Sequence, residues 1–239
     1  MFTEKRKLFA VILVITVLLG LYPVSSTVTK LLFCLGVILS AITFIFLLDQ
    51  RKISLPLFYA FSLPLMCFLL ADRPYSATRL RHNYLHSLKN SEGITYVWGG
   101  ENFLGIDCSG LPRRSIMNAL FKESFLSFSS QAFLKALDIW IFDSSAKALD
   151  EGYHNQTRYI ASFSSIKHIS PKLSKGDLAV TQDGVHVLVY LGNDIWIQAD
   201  PIHGSVHRGS PFKEANDWYN EPVNIVRWRV FDSDKYKSL

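Results

Sequence analysis

The sequence is poor in cysteine. Three are spread over 239 residues, at positions 34, 67 and 108. The first two fall inside long apolar runs, so the globular remainder holds one thiol and cannot form an internal disulfide. Charge is scarce as well: Asp, Glu, Lys and Arg make up 19% of the chain, against about 25% in an ordinary soluble domain. The shortage is confined to the front. Residues 1–72 contain six Lys or Arg and three Asp or Glu, four of these nine within the first seven positions, whereas residues 73–239 hold 19 and 17. The rear part is thus nearly neutral, and the net charge of +5 leaves no basic footprint on a folded domain of the kind that nucleic-acid binding requires. An internal repeat, a low-complexity tract and a nucleotide-binding glycine loop are also missing.

What the front third has is apolar length. Three uncharged runs, Leu8 to Thr29, Leu31 to Leu48 and Ile53 to Ala71, each approach the ~20 residues a helix needs to cross hydrocarbon. They predict three transmembrane helices over 1–72, the third kinked at Pro56 and Pro64. Alternatively the first run is a signal peptide, with Lys5, Arg6 and Lys7 before it and Val24, Ser25 and Ser26 as small residues after it. Either way the rear domain is delivered outside, with Arg51 and Lys52 on the cytoplasmic side as the positive-inside rule prefers. Arg73, Arg79 and Arg81 follow the third run on the outer side, a bias that large translocated domains override.

Residues 73–239 are long enough for one core. Residues 75–91 read as a polar helix, Cys108 to about Leu120 as a second, and Phe133, Leu134, Leu137, Trp140 and Ile141 as the apolar face of a third. The period then changes to two in Leu178 to Thr181, Val185 to Leu191, Ile195 to Ala199 and Asn224 to Phe231. Helices followed by strands predict an α+β domain.

The stretch Tyr96 to Gly110 packs four glycines, a Tyr, an Asp and the lone globular thiol into fifteen positions, a composition suited to close backbone approach to a ligand. A helix starting at Cys108 would set the thiol against unsatisfied N–H groups and the positive end of the dipole, lowering its pKa, and would offer the Cys108 N–H to an oxyanion. The competing reading is a small buried hydrophobe, the usual fate of a free cysteine. A thiolate needs a base, and His186 stands at the polar end of an apolar strand, where the alternative is a satisfied core histidine. Two other pairs, His82 with His86 and His203 with His207, have ligand-like spacing but lack a third ligand in the sequence and read as surface residues. Asn155 opens an Asn-Gln-Thr sequon with no bearing on the chemistry.

These residues resemble the NlpC-type cell-wall hydrolases, papain-like cysteine peptidases that cut the peptide stems of bacterial peptidoglycan. The match lies in Tyr96 with Trp98-Gly99-Gly100, then Asp107-Cys108-Ser109-Gly110, then Gly176-Asp177-Leu178, then His186-Val187 and Tyr190-Leu191-Gly192. The resemblance implies Cys108 as nucleophile, His186 as base and Gln198 as the residue that orients the imidazole. It also implies Tyr96 beside the cleft, and Asp107 with Ser109 at the amino end of the substrate. Gln198 stands where the family most often has His, Leu188 where a glycine commonly follows His-Val, and Pro112 interrupts the helix after the nucleophile. Cys108 and His186 are separated by 77 residues, leaving room for a helical insertion near 120–168 that caps the cleft.

Strand geometry leaves two candidates for the third residue. A three-residue loop of Gly192, Asn193 and Asp194 faces Leu191 with Ile195, Leu188 with Gln198 and His186 with Asp200, so Gln198 and Asp200 share the histidine's side of the hairpin. Pro201 ends the strand and is expected to turn Asp200 toward solvent, which favours Gln198. The resulting expectation is a multi-pass protein of the bacterial inner membrane whose outward-facing cysteine amidase or endopeptidase hydrolyses peptidoglycan stems through a thioester. Its partners would be stem peptides and the lipid bilayer, with no nucleic acid, no metal and no organic cofactor. The alternatives are a cysteine acyltransferase or deamidase working at the membrane, and a non-catalytic module that binds wall peptides.

Overall fold

The computed structural model describes residues 2–47, 51–71, 73–169 and 173–232. Three helices fill the front: α1 (Phe2–Leu21), α2 (Thr27–Leu47) and α3 (Arg51–Leu70). The predicted break between the first two falls earlier than Thr29, because Pro23 stops α1 and a reciprocal pair starts α2. Ser26 Oγ accepts from the Thr29 N–H at 3.2 Å while Thr29 Oγ1 accepts from the Ser26 N–H at 2.9 Å. Of the three expected spans, α2 alone among the described residues is long and apolar enough to cross a membrane, with a mean hydropathy of 2.4. Helix α1 takes Glu4 to Lys7 into its own first turns, and α3 begins with Arg51 and Lys52 and contains two prolines. Leu48 and Asp72, the expected ends of the second run and of the membrane region, lie outside the described residues.

The rear domain is α+β. Helix α4 (Ala77–Asn90) starts where Ser76 Oγ accepts from the Arg79 N–H. A two-residue pair, β1 (Glu101–Asn102) with β2 (Gly105–Ile106), leads into α5 (Gly110–Ser127). Pro112 is the third residue of α5, inside the first turn, where a missing N–H costs no helical bond, so it does not interrupt the helix. Then come α6 (Ser130–Ile141), α7 (Ala146–Asp150), β3 (Thr157–Phe163), β4 (Leu178–Thr181), β5 (Val187–Gly192), β6 (Ile195–Asp200), β7 (Ser205–Gly209) and β8 (Val223–Trp228). The last six strands form one antiparallel sheet in the order β3-β8-β4-β5-β6-β7.

Period two decides which side chains go where. Leu178, Val180, Val187, Val189 and Ile197 point to the face covered by α4 and α5, where they meet Leu80, Tyr84, Leu111, Ile116 and Leu120. Ala179, Leu188, Trp196, Val223 and Ile225 form a second cluster on the opposite face. Leu188 is therefore a core residue of that second face. The segment after residue 120 packs α6 behind α5, with Phe133 against Phe121 and against Phe68 of α3. Near the site, Lys147 of α7 backs the turn at Gly184.

Candidate active site

Two of the four glycines around the thiol, Gly100 and Gly110, approach backbone of this chain, and the other two, Gly99 and Gly105, approach the side chains of Val24 and Val97. A Cβ at Gly110 would overlap the Gly100 carbonyl oxygen, and one at Gly100 would lie 2.6 Å from the Gly105 carbonyl oxygen. The loop is so tight because Asp107 gathers it. Its Oδ2 accepts from the Gly99 N–H at 2.9 Å, and its Oδ1 from the Gly110 N–H at 2.6 Å and the Ser109 hydroxyl at 3.0 Å. Asp107 and Ser109, expected from the resemblance to hold substrate, spend these bonds on the loop and on the start of α5.

Cys108 precedes that helix start by two residues, buried at 8% exposure. Its Sγ donates to the Val185 carbonyl oxygen at 3.6 Å. Contrary to the expectation of a thiol acidified by a helix dipole, desolvation and the Asp107 carboxylate push it up to about 12. The N–H groups of Val187, Ser109 and Cys108 pull the other way without overcoming burial. The sulfur thus lies against backbone on both sides of His186.

His186 is 1% exposed. Its backbone N–H donates to Thr181 Oγ1 at 2.9 Å, and its Nε2 lies 2.6 Å from Gln198 Oε1. An amide oxygen only accepts, so Nε2 carries the proton and Nδ1 keeps its lone pair. Burial pushes the imidazole down to about 4, opposed by the Gln198 bond and the Asp200 and Asp183 charges. Trp218 stacks on the ring, centroids 4.1 Å apart and planes at 15°.

The hairpin that brings Gln198 to His186 differs from the predicted one at its tip. Val189 faces Ile197 and Tyr190 faces Trp196, as the predicted register requires, but Gly192 faces Ile195. The turn is the two residues Asn193 and Asp194, both in the left-handed region (φ 52° and 58°), the conformation of a tight hairpin turn. A bulge at Leu191 absorbs the extra residue and restores the register.

Asp200 is not turned to solvent. It is 1% exposed, its Oδ1 accepts from the Ile202 N–H at 2.8 Å and its Oδ2 from Asn216 Nδ2 at 2.7 Å. Burial works against its charge, yet these donors, with the His203 N–H, hold the carboxyl below its usual range. Pro201 does end β6, but the turn folds back over the carboxylate. Tyr96 is half-buried, and desolvation, then the charges of Cys108, Asp107 and Asp200, push its phenol up to about 12. It therefore lies among the same groups.

Sequence reasoning missed the segment 214–219, which supplies Trp218, Asn216 and a buried Tyr219 whose hydroxyl donates to Glu214 Oε1 at 2.6 Å. Its only signal was a local cluster of aromatic and amide residues. The glycine loop, the thiol and the histidine strand all fall within residues 93–221, which match the NlpC/P60 family. The chain belongs to the NlpC/P60 family. The family region covers just over half of the sequence and begins after α4. Solved structures similar to the chain include the peptidoglycan hydrolase RipB from Mycobacterium tuberculosis, 19% identical with a TM-score of 0.40 over 63% of this chain and 65% of that one. NlpC1 from Trichomonas vaginalis is 19% identical, with a TM-score of 0.43 over 65% of this chain and 46% of its own. The NlpC/p60 domain of the peptidoglycan hydrolase SagA is 22% identical, with a TM-score of 0.37 over 62% and 97%. This chain thus spans about two thirds of RipB and less than half of NlpC1. No curated protein matches it.

Proposed function

We propose that this chain is a membrane-held cysteine amidase or endopeptidase that hydrolyses peptide stems of bacterial peptidoglycan. The observation that carries the reading is the 2.6 Å contact of His186 Nε2 with Gln198 Oε1, beside a thiol held against the Val185 carbonyl. That contact fixes the tautomer and leaves Nδ1 as the base. Nδ1 takes the Cys108 proton as sulfur attacks the stem carbonyl, backbone N–H groups at the start of α5 receive the oxyanion, and the imidazolium then protonates the leaving amine. Water, activated by the same nitrogen, releases the thioester. RipB and SagA are peptidoglycan hydrolases, the substrate class proposed for this chain.

The test is to incubate the full-length protein in detergent with purified peptidoglycan and read the soluble products by mass spectrometry. New stem fragments that vanish in Cys108→Ala are expected. Binding without fragments would favour a wall-binding module, and acyl transfer without fragments the membrane acyltransferase.

The three-span, outward-facing arrangement is part of the proposal. Support comes from the tip of the α1–α2 hairpin, which lies against the glycine loop: Ser25 N–H donates to Gly99 O at 2.9 Å and Glu101 N–H to Pro23 O at 2.9 Å. The same end of α2 carries Lys30, buried in ion pairs with Glu101 and Asp143. Helix α2 therefore starts on the domain's side, and α3 returns to it where Ser130 Oγ donates to Ala71 O at 2.8 Å. Along α1 and α2, Leu8, Val11, Val14, Leu18, Leu31 and Ile38 are exposed, an apolar surface suited to lipid.

A further inference from the structure

The pair His203 and His207 gains from the fold the third ligand that its sequence lacks. Their rings stack with centroids 4.3 Å apart, and one donor atom from each, with one carboxylate oxygen of Asp200, lies within 4.8 Å of the others. We propose that Asp200, His203 and His207 bind one divalent transition ion of the zinc class, at a site beside Gln198 that takes no part in the thiol chemistry.

The surroundings of the three donors carry the argument. His207 Nε2 faces Glu214 Oε1 at 3.7 Å, while its Nδ1 is buried and has no hydrogen-bond partner. A carboxylate near one ring nitrogen and a buried, unbonded nitrogen on the other side is an arrangement that a metal-binding imidazole can use. Asp200 is anchored in the same manner: Asn216 Nδ2, the Ile202 N–H and the His203 N–H hold its oxygens, which leaves the carboxylate one further lone pair for an ion. Two imidazoles and one carboxylate suit zinc or its first-row neighbours, since calcium and magnesium require more oxygen ligands. Ligands at about 2.1 Å in a tetrahedral shell lie about 3.4 Å apart, so the cluster closes by roughly an ångström. The exposed His203 supplies that movement through its side chain, in the turn at 201–204 where the space a Cβ on Gly204 would fill is open. The ion would join the end of β6 to the start of β7 and fix the strand that carries Gln198.

The test uses the full-length Cys108→Ala protein, purified through a tag without histidine and stripped with a chelator, so that the thiol cannot compete. Zinc is titrated calorimetrically, and cobalt is titrated by its visible ligand-field absorption. One ion per chain is expected, with affinity reduced at least tenfold in His203→Ala and in His207→Ala and unchanged in the His82→Ala, His86→Ala double variant. Zinc should also raise the melting temperature of the host protein and not that of His203→Ala. His203 is exposed, so its loss leaves the fold intact. Absence of saturable binding, or binding that survives both His203→Ala and His207→Ala, overturns the site.

Discussion

At Cys108 and His186 burial drives two protonation equilibria apart. The thiol is pushed up to about 12 and the imidazole down to about 4, which favours thiol and neutral imidazole across the neutral range, and under the proposed mechanism the proton would move only as the carbon–sulfur bond forms. A preformed thiolate–imidazolium pair would behave differently. The acid limb of kcat/KM against pH should fall well below 6.5, the ordinary value for histidine, because activity is lost only when Nδ1 is protonated. An acid limb at or above 6.5 would show that burial does not control the base. The same shift has a consequence for stability. A histidine depressed in the folded state contributes stability that is present above 6.5 and is lost as pH falls through about 4, because the unfolded chain binds the proton first. Thermal melts of the Cys108→Ala protein should decline over that window. Gln198 and Asp200 separate by their bonds: Gln198→Ala should lower turnover about 10- to 100-fold, less than loss of the base itself. Asp200→Ala should chiefly cost stability, about 1–3 kcal/mol, because it strands the Ile202 N–H and Asn216 amide. Kinetics and melts on both variants check the ranking.

Among the elements, the start of α5 holds Cys108, the proposed nucleophile, in place, and Arg113 anchors that helix. Its guanidinium, 5% exposed, pairs with Glu101 at 2.7 Å and Asp143 at 3.2 Å and donates to the Ile139 carbonyl at 2.7 Å. One side chain thus ties α5 to β1 and to the end of α6. Arg113→Ala leaves Glu101 buried with only Lys30 opposite, and such broken pairs cost about 3–5 kcal/mol. The expected outcome is a melting temperature lowered far more than by Arg208→Ala, whose ion pair with Glu92 is exposed on both sides. Similar losses in the two variants would refute the anchor. Legibility in the sequence followed the same physics. Strands β4, β5, β6 and β8 alternate because each has two neighbours and a buried face. Strands β3 and β7 are the sheet edges, where polar residues such as Arg158, Ser162, His207 and Arg208 blunt further pairing and erase the period. The register that brings Gln198 to His186 could be read from period two. The Leu191 bulge that preserves it could not, since it depends on turn geometry. Trp218 arrives through a 3-10 turn at Asp217–Tyr219, 32 residues from the histidine it covers, and no local pattern announces such a contact.

For the whole molecule, the proposed membrane attachment has to be reconciled with one strongly apolar helix among the described residues. Helix α2 has the hydropathy, while α1 and α3 have matching lengths of 20 residues each, or about 30 Å of helix. Charges at Glu4 to Lys7 and at Arg51 and Lys52 dilute their averages, but in the sequence of each helix those residues stand at its start. On the proposed three-span arrangement, the docked ends would decide which helix starts share a side. Pro23 and Ser25 at the α1–α2 tip bond to the glycine loop, and Ala71 after α3 bonds to α6, so both lie with the domain, and the basic ends of α1 and α3 lie together at the far side. Under the proposal, five basic residues, Lys5, Arg6, Lys7, Arg51 and Lys52, would mark that far side as cytoplasmic. A fluorescent reporter that matures only in the cytoplasm, fused after Leu239, which lies outside the described residues, should therefore stay dark. Alkaline phosphatase at the same point should be active. Bright fluorescence with silent phosphatase would place the domain inside, remove the cell wall from its reach and leave the membrane acyltransferase as the reading to pursue.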